Sequence, residues 1–142
     1  MPDLDRFLSR QEETLAQALA ELRAGRKLTH WIWWELPQLR SLGRSQRAHD
    51  YGLADLDEAT RYLAHPVLGP RLIDMGDALL THSKMTAIDI MGPVDSLKLR
   101  STATLFAAVS GAPDVFQKLL DQFYKGAPCP MTVAEIHPTP RA

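Results

Sequence analysis

The chain is poor in the features that usually give a function away. It has one cysteine, Cys129, which excludes an internal disulfide, and the surrounding GAPCPMT supplies neither a second thiol nor a nearby base. Cys129 therefore reads as an ordinary thiol. Neither sign of charge prevails: sixteen Lys and Arg stand against seventeen Asp and Glu, for a formal net charge of −1. Such a balance gives no field that would hold a nucleic-acid backbone or an anionic membrane surface, so neither is expected as a partner. No apolar run approaches the roughly 20 residues of a spanning helix. The N-terminal MPDLDRFLSRQEE carries acids and no apolar signal region, and the expectation is a cytoplasmic protein. His30, His49, His65, His82 and His137 show no ligand spacing of the HExxH kind, so no metal and no cofactor are expected.

Aromatics are also scarce, at 7% of the residues, yet all three tryptophans fall in THWIWWELPQL, residues 29–39. The rest of the chain reads as helices separated by breakers. Over residues 4–24 Phe7, Leu8, Leu15, Leu19 and Leu22 recur at helical spacing, with Arg6, Gln11, Glu12, Glu13 and Glu21 as a wet face and Gly25 as the stop. PQLRSLGRS, residues 37–45, reads as a loop. Asp55 and Glu58 form a capping-box variant that opens a short helix over 56–64, ended by His65-Pro66. A helix over 67–81 buries Leu68, Leu72, Met75 and Leu79, and Arg71 at its start is expected to pair with Asp74 or Asp55. SKMTAIDIMGP, residues 83–93, has the only strand-like composition. Helical patterns return over 94–109, through Val94, Leu97, Ser101, Leu105 and Ala108. Another follows Pro113-Asp114, with Val115, Phe116, Leu119, Leu120 and Phe123 inward. Thr132 and Glu135 make a second capping box, before a frayed tail from about residue 137. At 142 residues, without repeats or linkers, the expectation is one mainly α domain over 1–142 with at most one short strand-like segment. The pattern specifies no oligomeric state.

The phrases RAGRKLTHWIWWELPQLRSLGRS, LDEATRYLAHPVLGPRL and GPVDSLKLRSTATLF resemble the bacterial family known as domain of unknown function 1810. The chain departs from that family's usual wording at Thr29, Trp34 and Ala103, where serine, phenylalanine and methionine are common. The resemblance implies a mainly helical, YbiA-like fold and no assigned activity. Through the YbiA-like superfamily it also implies distant kinship with the NADAR proteins, which hydrolyse N-glycosidic bonds of ribosylated compounds. Their glutamate-histidine-aromatic signature is not matched, because His30 precedes the indoles and Glu35 follows them. Kinship of fold is therefore only an analogy for function.

Three groups of residues are candidates for a site. In a helix Trp31 and Trp34 share a face and Trp33 turns away, whereas in an extended segment Trp31 and Trp33 share one. The three cannot all point inward, so the cluster is either a wedge in the core or, with Trp34 left beside a cleft, a surface on which a base or sugar stacks. His30 is a candidate base, or it satisfies a backbone carbonyl. In the loop, the run Gly43-Arg44-Ser45 offers backbone N–H groups, a guanidinium and a hydroxyl to a phosphate, although Ser45 equally serves as a helix cap, and Gln38 is a further ligand-binding candidate. On the helix that follows Gly92, Asp95, Lys98, Ser101 and Thr102 form a polar stripe. Asp95 there is either a first-turn carboxylate or the acid-base group of an N-glycosidase.

Two functions follow from these patterns. One is a small-molecule protein, a binder or N-glycosidase of ribosylated or nucleotide-like metabolites, using Asp95 and His30 catalytically and the tryptophans, Gln38, Arg44, Ser45, Lys98, Ser101 and Thr102 for binding. The other is a non-enzymatic interaction domain in which the indoles are core.

Overall fold

In the computed structural model, which describes residues 4–137, the first helix already shows why polarity alone misleads. Helix α1 (Asp5–Ala24) buries Phe7, Ala18 and Leu22, but Gln11 and Glu21 are buried with them. These two, expected on the wet face, turn inward because each has several partners. Gln11 donates to the Trp34 carbonyl at 2.7 Å and the Tyr62 hydroxyl at 3.0 Å. Gly25 ends the helix at φ +78°, a left-handed conformation that favours glycine, with its N–H returned to the Leu22 carbonyl.

Helix α2 (Ile32–Glu35) is a single turn held onto α1 by its indoles. Trp31 Nε1 donates to Glu21 at 3.0 Å and Trp34 Nε1 to Thr14 Oγ1 at 2.9 Å. Trp31 and Trp34 are buried and Trp33 is half-buried, which is the helical pattern. The indole left beside a cavity is thus Trp33, not Trp34. The loop after α2 makes one turn of 3-10 helix at Arg40–Leu42 and pairs Leu39 with Leu53 in an isolated parallel bridge. No strand forms among the described residues.

Helix α3 (Gln46–Tyr51) starts at Ser45, whose Oγ accepts the Ala48 N–H at 3.1 Å. Helix α4 (Leu56–Ala64) starts at Asp55, which accepts the Glu58 N–H at 2.8 Å. The Glu58 carboxylate does not close a reciprocal box. It accepts from Ala54 N–H and from Arg6 instead. Helix α5 (Leu68–Leu80) carries Arg71, which pairs with Glu12 of α1 at 3.1 Å rather than with Asp74 or Asp55.

The expected strand is helix α6 (Ala87–Met91). Thr86 and Asp89 form a reciprocal capping box there, satisfying two first-turn N–H groups, and this local gain outweighs the β-branched composition of the segment.

Helix α7 (Pro93–Ala107) packs against α4, α6, α8 and α9. Crowded on most sides, it buries small polar residues that bond back to their own helix: Ser101 to the Leu97 carbonyl, Thr102 to that of Lys98 and Thr104 to that of Arg100. Val94 and Leu97, the first two residues of the helical pattern, are 65% and 64% exposed. Helix α8 (Val115–Tyr124) buries Val115, Phe116, Leu119 and Leu120 as expected, with Phe123 half-buried. Helix α9 (Pro130–Ile136) begins after Cys129, so Thr132 is a buried residue inside the helix and not its cap. The core runs through a chain of ring contacts, Phe7 edge-to-face with Tyr62, then Tyr62 with Phe106 and Phe106 with Phe116 in tilted pairs, joining α1, α4, α7 and α8. Residues 138–142, most of the expected frayed tail, lie outside the described residues.

Candidate functional site

Because Val94 and Leu97 face outward on α7, they leave one side of that helix open. A cleft of about 490 Å³ forms there. One wall is the loop and the start of α3, with Gln38, Leu42, Gly43, Arg44, Ser45 and Ala48. The loop can lie this close to α3 because residue 43 is glycine: a Cβ there would overlap the Cβ of Ala48. The opposite wall is α7, with Val94, Leu97, Lys98, Arg100 and Ser101, and the entry to α9 closes the end with Cys129, Pro130 and Met131. Among the described residues three cations line the cleft and no carboxylate does.

Gln38, Arg44, Ser45, Lys98 and Ser101, five of the expected ligand-binding residues, meet in this cleft. Behind them a small cavity of about 10 Å³ is lined by Trp33 and shares Gln38, Ala48 and Lys98 with the cleft. The other candidates lie elsewhere. Trp31 and Trp34 are core residues. Thr102 is buried and donates to the Leu36 carbonyl at 2.8 Å, tying α7 to the end of the tryptophan segment. His30 is exposed and lines neither cavity.

Asp95 also lines neither cavity. Its carboxylate joins Lys27 at 2.9 Å and Lys98 at 3.5 Å. The Lys27 ammonium lies 4.9 Å from the ring centre of Trp31, and that of Lys98 lies 5.2 Å from that of Trp33. Asp95 is thus a clasp between two lysines, each resting against an indole, with the first-turn dipole of α7 favouring its charge. Trp33 has Arg47 at 5.0 Å from its ring centre as well. A base stacking on this ring would have to displace a cation. The Arg44 guanidinium is exposed and has no partner among the described residues, whereas Ser45 is engaged as a cap.

Cys129 is a cleft-lining residue whose surroundings its local sequence hides. Its thiol is half-buried and accepts from Ser101 Oγ at 3.3 Å. Burial pushes the thiol pKa up, but hydrogen bonds from Ser101 and from the backbone N–H groups of Thr132 and Met131 outweigh that, and the net direction is down. GAPCPMT holds the Met131 and Thr132 donors, but Ser101 stands 28 residues away in sequence, so that segment does not reveal the hydroxyl beside the thiol. Ser101→Ala is expected to move the pH profile of Cys129 alkylation by iodoacetamide to higher pH. An unchanged profile would show that Ser101 does not tune the thiol.

Fold and cleft together define a mainly α, single-domain protein with a basic, apolar-rimmed concavity. Residues 1–136 match the family described as "Protein of unknown function (DUF1810)", and the chain belongs to that family. It is similar to the crystal structure, at 1.38 Å, of the conserved hypothetical protein Rv1873 from Mycobacterium tuberculosis. The two are 42% identical, with a TM-score of 0.93, over 96% of this chain and 98% of that one. No curated protein matches the chain. Neither name carries an activity, and neither joins the chain to the YbiA-like or NADAR proteins. Among the described residues no helix is long and apolar enough to cross a membrane.

Proposed function

We propose that the protein binds a small organic anion in the cleft between the 38–45 loop, α7 and α9. The observation that carries this reading is the lining itself: Arg44, Lys98 and Arg100 with no acidic side chain among the described residues, around an apolar body. A concavity of this volume, mostly apolar with a few convergent polar groups, is the usual form of a small-molecule site. A nucleotide-like or ribosylated ligand suits the charge. Hydrolysis of an N-glycosidic bond is less well supported, since it needs a carboxylate at the ligand and Asp95 is engaged by Lys27 and Lys98. Binding is the function that the geometry favours.

A thermal-shift panel of nucleotides, ADP-ribose, ribosylated bases and aliphatic and aryl carboxylates tests this. A ligand present at about a hundred times its Kd stabilises by about 2.7 kcal/mol, a shift of several degrees. Leu97→Glu puts a negative charge in the cleft at an exposed position and is expected to change stability by no more than about 0.5 kcal/mol while abolishing the shift. A shift that survives Leu97→Glu locates the ligand elsewhere and refutes the proposal. One observation favours a second reading, a partner-binding domain: Val94, Leu97 and Met131 are each about two-thirds exposed around the same cleft. A self-associating form by light scattering that Leu97→Glu dissolves, with no ligand in the panel binding, would favour it.

A further inference from the structure

We infer that the cleft docks an acidic amphipathic helix of a protein partner, laid along α7 opposite the 38–45 loop, an inference that goes beyond a small anion in the same cleft. Of the six large apolar side chains exposed among the described residues, three line this one cleft: Val94, Leu97 and Met131. Each is about two-thirds exposed. A small ligand is enclosed by the walls that hold it, whereas side chains standing this far out on a rim are covered only by a larger surface.

The helix beneath them sets the shape of that surface. On α7, Val94, Leu97 and Ser101 recur at helical spacing and share one face. Lys98 lies to one side of that stripe and Arg100 to the other, and all five line the cleft. A mostly apolar stripe with a cation along each edge is the complement of a second helix that carries apolar residues on one face and carboxylates on both flanks. The cleft takes a few apolar side chains of that helix, whose backbone lies across the rim. An extended partner has no edge to pair with, since no strand forms among the described residues.

Charge fixes the sign of the partner. Arg44 on the facing wall and Arg100 on α7 form no ion pair among the described residues, and Arg100 is held in place by the Ala127 carbonyl, 2.9 Å from its Nε. The chain is nearly neutral as a whole, yet residues 26–49 hold five Arg and Lys against one acid, Glu35, which is buried. A basic partner is repelled here and an acidic one attracted. An anionic bilayer offers the same charge on a flat surface, which does not enter a concavity between two walls. A small anion held by these cations competes with the helix for them.

Fluorescence anisotropy tests the inference with three dye-labelled synthetic peptides of about 15 residues, long enough to form a helix. One places leucines on one helical face and glutamates on both flanks, one has lysine for every glutamate, and one scrambles the leucine–glutamate composition. The first is expected to bind about tenfold more tightly than the other two. Leu97→Glu and Arg44→Glu, both at exposed positions, should each weaken it by about tenfold, with thermal melting showing that each variant folds. Equal binding of the scrambled peptide reduces the surface to charge alone and equal binding of the lysine peptide to apolarity alone. Either result overturns the inference, as does binding that survives either substitution. Sedimentation with phosphatidylglycerol vesicles in place of peptide binding would assign the face to a membrane, and self-association in its place, dissolved by Leu97→Glu, would assign it to a second copy. No peptide binding while a member of the thermal-shift panel stabilises the protein would overturn the helix and leave the small-anion reading standing. Peptide binding with no panel member bound would do the reverse, and if nothing binds, both readings fall.

Discussion

Replacing Glu21 by alanine is expected to cost the protein about 3–5 kcal/mol, a large part of the stability of a domain this size. The carboxylate is almost fully buried and accepts from five donors: Gln17 Nε2 at 2.8 Å, Leu28 N–H at 2.7 Å, Thr29 N–H at 3.0 Å, Thr29 Oγ1 at 2.6 Å and Trp31 Nε1 at 3.0 Å. Alanine would leave the Leu28, Thr29 and Trp31 donors without an acceptor and would free the connection that sets α2 on α1. Loss of a buried acceptor costs the desolvation of every donor it served, which is why one residue has so large an effect.

The same carboxylate gives a pH signature. Burial alone would raise its pKa, but the bonds from Thr29, Gln17 and Leu28 outweigh burial and bring it from 4.5 to about 2. A carboxyl whose folded pKa lies below its unfolded value stabilises the fold fully above the unfolded value, and that contribution is lost as pH falls through the folded one. The window therefore runs from about 4.5 down to about 2, with about 2 kcal/mol at stake after solvent screening. Urea denaturation across that window should show stability falling for the wild type and nearly constant for Glu21→Gln. Parallel curves for the two proteins would mean that Glu21 is not the group responsible.

Glu21 also marks the boundary of what sequence reading reaches. A period of 3.6 sorts residues by polarity, and it put Glu21 and Gln11 on the wet face because their partners, Trp31 and Tyr62, lie 10 and 51 residues further on. Where the determinants are local the reading holds to the residue. Helix α4 runs over Leu56–Ala64 as expected, since the Asp55 cap and the His65-Pro66 stop both lie in adjacent sequence. The Thr86–Asp89 box was equally local, but the alternating Ile88 and Ile90 imitate a strand and hide it. On α7 the helical pattern through Val94 and Leu97 is present, but nothing in the sequence says that the helix is enclosed on its polar sides and open on this apolar one. For the same reason Gln38, Arg44, Ser45, Lys98 and Ser101 can be selected as polar groups with functional spacing, whereas Cys129 and Met131 join them only when α9 folds back against α7.

Glu35 should behave in the opposite sense to Glu21, and the contrast separates two buried glutamates that look alike in sequence. Its Oε2 accepts from Thr14 Oγ1 at 2.7 Å, and its Oε1 is buried with no hydrogen-bond partner among the described residues. Burial dominates: it outweighs the Thr14 hydrogen bond and the charge of Arg71 and pushes the carboxyl from 4.5 up to about 7. Here the folded state holds the proton more tightly than the unfolded chain. The stabilisation is fully present below about 4.5 and is lost as pH rises through about 7. Between those limits the wild type is expected to lose up to about 3 kcal/mol. Glu35→Gln keeps the shape and an acceptor for Thr14 but cannot ionise. It should match the wild type near pH 4.5 and exceed it by about 2–3 kcal/mol at pH 8, visible as a higher urea midpoint at unchanged slope. A variant less stable than the wild type at pH 8 would show that the charged carboxylate has a partner that offsets its burial, and that Glu35 contributes to the fold as an ion in the manner of Glu21.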